Sequence, residues 1–290
     1  MSLLKKILGK LRRICNKNKI NNSAKASYRH RSFDSMSSIL LWMLDGVEKQ
    51  YPSFRVKGKK VAEIGAGKFL SHAIGLKVLG ASKIFSFDMF RQFDQEEALI
   101  SFSQQIMAKK IYSKCIEPDE YFITLDEIKA TELDLIKLNV LGIEYFAPFD
   151  FRQYPNGDFF DFIMSYTVME HVPPSDVSSL LTKTIQTLCE GGKFCHYIDL
   201  EDHKNPGYAP FDFLVEDNWS DEDCFNRGNR LRLSDWKNIF DKIDSIEYTF
   251  TSVFRRNLDL LPMDISQMSE EELDDIRVSG FLVIGKKCLA

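Results

Sequence analysis

The chain has 290 residues, of which 44% are hydrophobic and 28% are charged, as is ordinary for a soluble globular protein with a full core. No apolar run reaches the roughly eighteen residues of a membrane span, and six cysteines without a C-x-x-C pair predict reduced thiols and a cytoplasmic location. The net charge of −4 is uneven, because residues 1–33 hold ten lysines and arginines and no acid. The remainder carries 28 basic and 42 acidic residues, which disfavours nucleic acid as a partner.

The N-terminus predicts a basic amphipathic helix over residues 2–17. Its apolar side consists of Leu3, Leu4, Ile7, Leu8, Leu11, Ile14 and Cys15, and lysines and arginines occupy the other side. Such a helix is typical of a protein that binds an anionic membrane surface, here the inner face of the cytoplasmic membrane. Docking on the protein's own domain is the alternative. We therefore divide the chain into residues 1–33, a helix and linker, and residues 34–290, one catalytic-type domain.

After a helix over Ser35–Tyr51, the chain predicts a βαβ unit that holds a nucleoside. The strand and turn Val61-Ala62-Glu63-Ile64-Gly65-Ala66-Gly67 precede a helix, and a second strand, Ile84–Phe87, ends at Asp88. The glycines allow close approach of a ligand, and an acid in the position of Asp88 accepts hydrogen bonds from ribose hydroxyls. Leu70 replaces the third glycine of a dinucleotide fingerprint, and Glu63 suits a ligand with a cationic end. Both features favour S-adenosylmethionine over NAD.

The following segment predicts a helical insertion and three further strands. Helical periodicity over Ala98–Tyr112 and Leu125–Leu138 fills an insertion at about residues 95–140. Strands are expected over Ile143–Phe146, Phe160–Ser165 and from Phe194 to Leu200. A helix opened by Pro173-Pro174 lies between the last two, and Glu190-Gly191-Gly192 predicts its C-cap.

The C-terminal part predicts an aromatic-rich segment followed by a helix and two strands. Residues 203–228 are rich in aromatic residues and favour a lid over the substrate, with packing against the insertion as the alternative. Ser234 predicts the N-cap of a helix, and strands are expected over Ser245–Phe254 and Gly280–Lys286.

Five short motifs follow one another over about residues 56–287. In chain order they are Glu-x-Gly-x-Gly, Phe-Asp, Phe-Asp-Phe-Ile-x-Ser, Met-Glu-His-Val and Gly-Gly-Lys-Phe. In this series the chain resembles the class I S-adenosylmethionine-dependent methyltransferases. The resemblance implies an α/β fold with a doubly wound, mostly parallel seven-stranded sheet of Rossmann-like form. Residues 141–148, 197–203 and 229–236 also resemble methyltransferase-domain proteins associated with bacterial surface glycans.

The resemblance assigns the cofactor-binding residues. It places Glu63 and Gly65 at the amino-acid end of S-adenosylmethionine, and the rest of their turn, Ala66 and Gly67, is also expected to bind the cofactor. It places Asp88 at the ribose and Asp150 near the adenine amino group. Tyr166, which directly follows the fourth strand, is expected close to the sulfonium methyl group and is also a catalytic candidate.

Two histidines are candidates for a general base that deprotonates a neutral hydroxyl acceptor. His203 follows the fifth strand, where Asp199 or Asp202 can orient its ring; His171, in the Met-Glu-His-Val motif, is the second candidate. His72 and His196 are expected to be structural. The histidines and cysteines show no metal-ligand spacing, so no metal site is expected.

Three residues are candidates for acceptor binding. Arg230 and Arg232 suit an anionic group such as a phosphate or a carboxylated sugar, with ion pairs inside the protein as the alternative. Asp199 is the third candidate, because it lies near the end of the fifth strand and close to His203 in the chain.

The sequence favours methyl transfer to an oxygen of a glycan, a glycolipid or a phosphate-bearing acceptor. One alternative is a methyltransferase that acts on a small molecule or a lipid quinone. Another is a non-catalytic protein that binds the cofactor and serves as an interaction partner. An NAD-dependent dehydrogenase is disfavoured by Leu70 and by the Glu-His motif.

Overall fold

The computed structural model describes residues 33–93, 135–157 and 159–289. The N-terminal basic helix and most of the insertion lie outside these ranges and stay predictions. The strands are β1 (Lys60–Ile64), β2 (Lys83–Phe87), β3 (Ile143–Phe146), β4 (Phe160–Tyr166), β5 (Leu188–Asp199), β6 (Ile246–Arg255) and β7 (Val278–Lys287). The α-helices are α1 (Phe33–Gln50), α2 (Ser71–Val78), α3 (Leu135–Val140), α4 (Pro174–Thr187), α5 (Asp221–Arg227), α6 (Leu233–Phe240) and α7 (Glu270–Ile276).

The strands form one mixed seven-stranded sheet in the order β3-β2-β1-β4-β5-β7-β6. β2 pairs in parallel with β1 and with β3, whereas β7 is antiparallel to both β5 and β6. This architecture confirms the predicted seven-stranded, Rossmann-like α/β fold. Of the described helices, none is both long and apolar enough to cross a membrane.

The chain divides into two compact units. The first unit comprises the described residues up to Met164 together with Gln186–Gly192, and the second comprises Ser165–Ile185 and the described residues from Lys193 onward. The first unit has an aromatic core, in which the centroid of the Phe87 ring lies 4.9 Å from that of Phe151 and 5.4 Å from that of Tyr154. This core lies beside Asp88 in the chain and supports the end of β2. In the second unit, Phe281 packs against Phe250 and Trp236.

The predicted C-cap at Glu190-Gly191-Gly192 is wrong. Helix α4 ends at Thr187, where the carbonyl oxygens of Gln186 and Thr187 accept hydrogen bonds from the Gly157 and Phe159 N–H groups. The glycine pair lies inside β5 instead. A Cβ atom on Gly192 would lie 2.8 Å from the Cys189 carbonyl oxygen, so close backbone approach explains this glycine.

The predicted N-cap at Ser234 is also wrong, because α6 begins at Leu233 and Arg232 is its N-cap residue. The Asp235 carboxylate accepts a hydrogen bond from the Arg232 N–H group at 2.9 Å. Ser234 instead donates to Asp275 from its N–H group at 2.9 Å and from its hydroxyl at 2.7 Å. A long-range partner therefore takes the serine that a local pattern assigns to the cap.

Candidate functional site

The glycine turn after β1 lies in the first unit. Gly65 and Gly67 have φ angles of 82° and 63°, a region that residues with a Cβ atom rarely adopt. The N–H groups of Gly65 and Ala66 donate to the Phe87 carbonyl oxygen at 2.8 and 3.1 Å, which ties the turn to the end of β2. A Cβ atom on Gly67 would meet no atom of the described residues within 4 Å. Among these residues, the turn therefore presents its backbone to open space.

Asp88 closes the same turn from the end of β2. Its Oδ2 accepts a hydrogen bond from the Gly67 N–H and its Oδ1 accepts one from the Phe90 N–H, both at 2.9 Å. No lysine or arginine of the described ranges forms an ion pair with this carboxylate. Burial raises the pKa of Asp88 to about 6, although the two backbone hydrogen bonds act in the opposite direction. Each carboxylate oxygen keeps a second acceptor site, which fits a ligand with two neighbouring hydroxyls.

Glu63 is buried in a polar network inside the first unit. The parallel register of β1 and β2 places Glu63 beside Ser86, whose hydroxyl donates to Oε2 at 2.8 Å. The His72 Nδ1 atom on α2 lies 3.3 Å from Oε1, so the structure gives His72 the structural role that we expected. The network joins two strands and a helix behind the glycine turn. Contact of Glu63 with the cofactor stays a prediction.

Asp150 follows β3 and caps a short 3-10 turn, Phe151–Gln153. Its Oδ1 accepts a hydrogen bond from the Arg152 N–H at 2.9 Å, and the Arg152 guanidinium pairs with both carboxylate oxygens at 2.8–3.0 Å. Arg152 therefore fixes the position of the Asp150 carboxylate. Its predicted contact with an adenine amino group is not tested by these bonds.

The second unit brings together three ionisable side chains that we call the Glu–His cluster: Glu170, His171 and His203. The imidazole rings of His171 and His203 lie 4.7 Å apart in an edge-to-face arrangement. One ligand-type atom from each of the three side chains lies within 4.8 Å of the others. Glu170 and His171 come from the 3-10 turn Met169–His171 after β4, whereas His203 comes from the loop after β5.

The Glu–His cluster has unusual electrostatics. Burial raises the pKa of Glu170 to about 8, and burial together with the nearby His203 lowers the pKa of His171 to about 4. Burial also acts to lower the pKa of His203, but the carboxylates of Asp199, Glu170 and Asp202 outweigh it and raise that pKa. A histidine made more basic by a nearby carboxylate suits general-base chemistry.

The structure gives different contacts to Asp199 and Asp202, the two aspartates that the sequence predicts as partners of His203. The Asp199 Oδ2 atom lies 3.7 Å from the His203 Nε2 atom, close enough for an ion pair. Asp202 is fully buried, and its carboxylate is engaged by the Arg227 guanidinium, which also pairs with Glu216 at 2.7 Å. Asp199 is therefore the acid that lies beside the imidazole, and Asp202 anchors the loop.

Tyr166 lies at the end of β4 and stacks on Tyr197, with ring centroids 5.2 Å apart. The following residue, Thr167, has a φ angle of 50°. This backbone turn directs the chain from the strand into the Met169–His171 turn. His196 is buried and its Nδ1 atom lies 2.8 Å from the Ser165 hydroxyl, which is the structural role expected for it.

The structure uses the guanidinium groups of Arg230 and Arg232 inside the fold. Arg230 donates to the carbonyl oxygens of Glu216 and Leu214 at 2.9 and 2.8 Å. Arg232 is only 8% exposed and donates to the carbonyl oxygens of Leu200 and Ile276 at 3.0 and 2.8 Å and to that of Val278. Acceptor binding by these residues stays a prediction, and the contacts give each a structural role.

We expect Arg232→Met to lower the free energy of unfolding by about 2–4 kcal/mol, because three carbonyl oxygens would lose a charged donor that is itself buried. Arg230→Met is the matched control, since the exposed part of its side chain reduces the cost to about 1 kcal/mol or less. Urea unfolding followed by circular dichroism measures both values. Equal losses in the two variants would contradict the structural role of Arg232.

The segment 203–228 is held against the second unit. Phe211 and Phe213 are buried, and the Arg232 guanidinium lies 5.3 Å from the centroid of the Phe211 ring. Trp219 packs on Phe213 with ring centroids 5.7 Å apart, and its indole N–H donates to the Gly228 carbonyl oxygen at 3.1 Å. Phe211, Phe213 and Trp219 therefore pack within the fold, whereas Tyr208 is 91% exposed. A lid function stays a prediction.

Sequence reasoning missed Glu170 as a site residue. The residue is 1% exposed, and neither carboxylate oxygen has a hydrogen-bond partner among the described residues. The only local signal is its place next to His171 in the Met-Glu-His-Val motif. Its approach to His203 depends on the tertiary structure.

No protein-family model matches the chain, and no curated protein matches it. Solved structures do match. An S-adenosylmethionine-dependent methyltransferase from Mesorhizobium loti is 18% identical over 88% of this chain and 100% of that chain, with a TM-score of 0.49. The phosphoethanolamine N-methyltransferase 2 of Haemonchus contortus is 11% identical over 87% of this chain and 53% of that chain, with a TM-score of 0.48. The magnesium protoporphyrin IX methyltransferase of Synechocystis is 12% identical over 88% of this chain and 79% of that chain, with a TM-score of 0.43. The assignment of an activity to this chain therefore depends on its own motifs and site geometry.

Proposed function

We propose that this chain is an S-adenosylmethionine-dependent methyltransferase that methylates an oxygen. The observation that carries the proposal is the closure of the glycine turn by Asp88, which leaves open space at Gly67 and unused acceptor sites on a buried carboxylate. The cofactor supplies a methyl group that is already activated by its sulfonium centre. The chain's own residues have to bind and orient the reactants, which is a large part of the catalytic effect in such displacements.

The start of α2 favours a cofactor without a pyrophosphate. Dinucleotide-binding folds place a pyrophosphate on the exposed N-terminus of this helix. Here Leu70 is the N-cap residue, is fully buried and offers no side-chain cap hydrogen bond, and the next residues, Ser71 and His72, are buried too. A phosphate group would have to displace a core leucine to reach these N–H groups. S-adenosylmethionine makes no such demand.

A hydroxyl acceptor is supported by the Glu–His cluster and by Asp199. We assign His203 the removal of the acceptor proton, with the carboxylate of Asp199 at 3.7 Å stabilising the imidazolium that forms. Tyr166 is proposed to contribute to the cofactor pocket at the end of β4. A glycan, a glycolipid or a phosphate-bearing molecule is the acceptor class that we favour, since three stretches of sequence resemble proteins of surface glycan biosynthesis.

Methyl-labelled S-adenosylmethionine tests the acceptor class. The protein is incubated with glycolipid, polysaccharide and small-molecule fractions from the cells that produce it, and the label in each fraction is counted. We expect label in a glycan or glycolipid fraction, with at least tenfold less label at a subsaturating cofactor concentration when Asp88→Ala replaces the natural protein. Label confined to the small-molecule fraction would favour the alternative acceptor. No transfer to any fraction, with cofactor binding intact, would favour a non-catalytic binding protein.

We further propose that residues 2–17 hold the protein on anionic membranes beside a lipid-linked acceptor. Each basic residue near such a surface contributes on the order of 1 kcal/mol, so several together give reversible, salt-sensitive binding. The full chain should sediment with anionic vesicles and not with neutral ones, whereas a chain that begins at Ser27 should remain in the supernatant. Equal partitioning of the two proteins would overturn the membrane proposal.

A further inference from the structure

We infer that the Glu–His cluster binds a divalent transition-metal ion, with Glu170, His171 and His203 as its protein ligands. Imidazole nitrogen and carboxylate oxygen are the donors that Zn²⁺ prefers in sites that keep one position open. No ligand spacing in the sequence indicates such a site, because the third ligand follows the first two after more than thirty residues.

The first support is the set of unsatisfied atoms. Both carboxylate oxygens of Glu170, the Nδ1 atom of His171 and the Nε2 atom of His203 are buried and have no hydrogen-bond partner among the described residues. Buried polar atoms are paired in the great majority of cases, and an unpaired buried carboxylate is especially unfavourable. A bound cation would satisfy atoms of all three side chains at once. Elsewhere in the described ranges no other three-residue group of potential ligands comes together in this way.

The second support is distance. The potential ligand atoms lie within 4.8 Å of one another. Zn²⁺ bonds of about 2.0–2.2 Å place tetrahedral ligands about 3.4 Å apart, so the side chains have to move inward by about 1 Å. Their freedom to do so follows from the absence of hydrogen bonds at the atoms concerned.

The third support is the backbone that carries the ligands. The Asn229 side-chain amide donates to the carbonyl oxygens of Met169 and Val172 at 3.1 and 2.9 Å, which fixes both ends of the turn holding Glu170 and His171. The His203 N–H donates to the Arg227 carbonyl oxygen at 3.2 Å. The ligands are thus held on two anchored segments, as a preformed metal site requires.

The surrounding charge also favours a cation. The Asp199 Oδ2 atom lies 3.7 Å from the His203 Nε2 atom and adds a negative charge beside the cluster. Arg227, the nearby cation, is neutralised by its pairing with Asp202 and Glu216. Three protein ligands leave a coordination position for an oxygen donor, so on the proposed function the ion would polarise the acceptor hydroxyl. Binding of the metal itself does not depend on that function.

The test is a titration of the full chain with Zn²⁺ after dialysis against a chelator. Isothermal calorimetry in a weakly competing buffer should show one equivalent bound per chain, and Co²⁺ should give the visible absorption of a tetrahedral site. Glu170→Gln keeps the size of the side chain and should weaken Zn²⁺ binding at least 100-fold, beyond the roughly 10–100-fold typical of an outer partner. His203→Ala should do the same. The exposed Glu222→Gln is the control and should bind as the natural chain does.

Two outcomes overturn the inference: no saturable binding at one equivalent, or equal affinity in Glu170→Gln and the natural chain. Circular dichroism establishes that each variant is folded. Titration of the same samples with S-adenosylhomocysteine separates this inference from the proposed function. A chain that binds S-adenosylhomocysteine but not Zn²⁺ refutes only the metal site, whereas a chain that binds Zn²⁺ alone refutes only the cofactor assignment.

Discussion

Replacing Asp88 with alanine is expected to lower the affinity for S-adenosylhomocysteine at least tenfold. Two hydrogen bonds from ribose hydroxyls to a carboxylate are each worth about 1.5–3 kcal/mol, and the variant removes both. The Gly67 and Phe90 N–H groups also lose their acceptor, so the turn loosens as well. Calorimetry measures the affinity, and circular dichroism with the thermal midpoint establishes that the variant is folded. Unchanged affinity would place the ribose elsewhere.

The natural chain provides a second test of Asp88 without any substitution. Burial raises the pKa of Asp88 to about 6, so the carboxylate is ionised at pH 8 and becomes protonated as the pH falls through 6. Protonation removes acceptor sites, so the affinity should be constant between pH 7 and 8 and should fall by up to about tenfold per pH unit below 6. Asp88→Ala should show no such dependence, because the group that titrates is gone. A decline of equal size in the variant would assign it to another residue.

Replacing His203 with alanine is expected to lower turnover by about 10²–10⁴-fold and to leave the affinity for S-adenosylhomocysteine unchanged. The reason is the loss of the side chain that takes the acceptor proton or, in the metal-bound form, of a ligand to the ion that polarises the hydroxyl. Single-turnover transfer from labelled S-adenosylmethionine measures the effect, and Glu222→Gln serves as the control.

A near-normal rate in His203→Ala would contradict the hydroxyl mechanism. It would indicate an acceptor oxygen that is already anionic at neutral pH, such as that of a phosphate, for which no base is needed. The cofactor assignment would stand in that case, because it depends on residues of the first unit.

The sequence predicts best the features that depend on neighbours in the chain. The turn at Gly65 and Gly67 and the carboxylate at Asp88 follow from one βαβ unit, in which a strand, a turn and a helix fix each other's positions. The strands of the sheet are predicted by short apolar runs that helices and turns separate. The bounds of β3 agree with the prediction residue by residue.

The sequence fails where a residue's role is decided by a distant part of the chain. Gly192 looks like a helix cap, but it is needed because the Cys189 and Phe160 carbonyl oxygens approach it closely. Ser234 looks like a helix cap, but Asp275 takes its hydroxyl. The sequence offers an anionic acceptor or an internal ion pair for Arg232, and only the folded structure shows its hydrogen bonds to carbonyl oxygens.

The same reason hides the Glu–His cluster. Glu170 and His171 are adjacent, but His203 comes from the loop after another strand, and no spacing rule joins them. Only the fold brings the two segments together, through contacts such as that of the His203 N–H with the Arg227 carbonyl oxygen.

Calorimetric titration of the natural chain with S-adenosylhomocysteine, and separately with NAD, tests the central claim most directly. Leu70 covers the helix N-terminus that a pyrophosphate would need, and the Asp88 carboxylate keeps acceptor sites for a ribose. We expect saturable binding of one S-adenosylhomocysteine per chain and no heat of binding with NAD. Saturable binding of NAD with no response to S-adenosylhomocysteine would contradict the assignment of this chain as a methyltransferase.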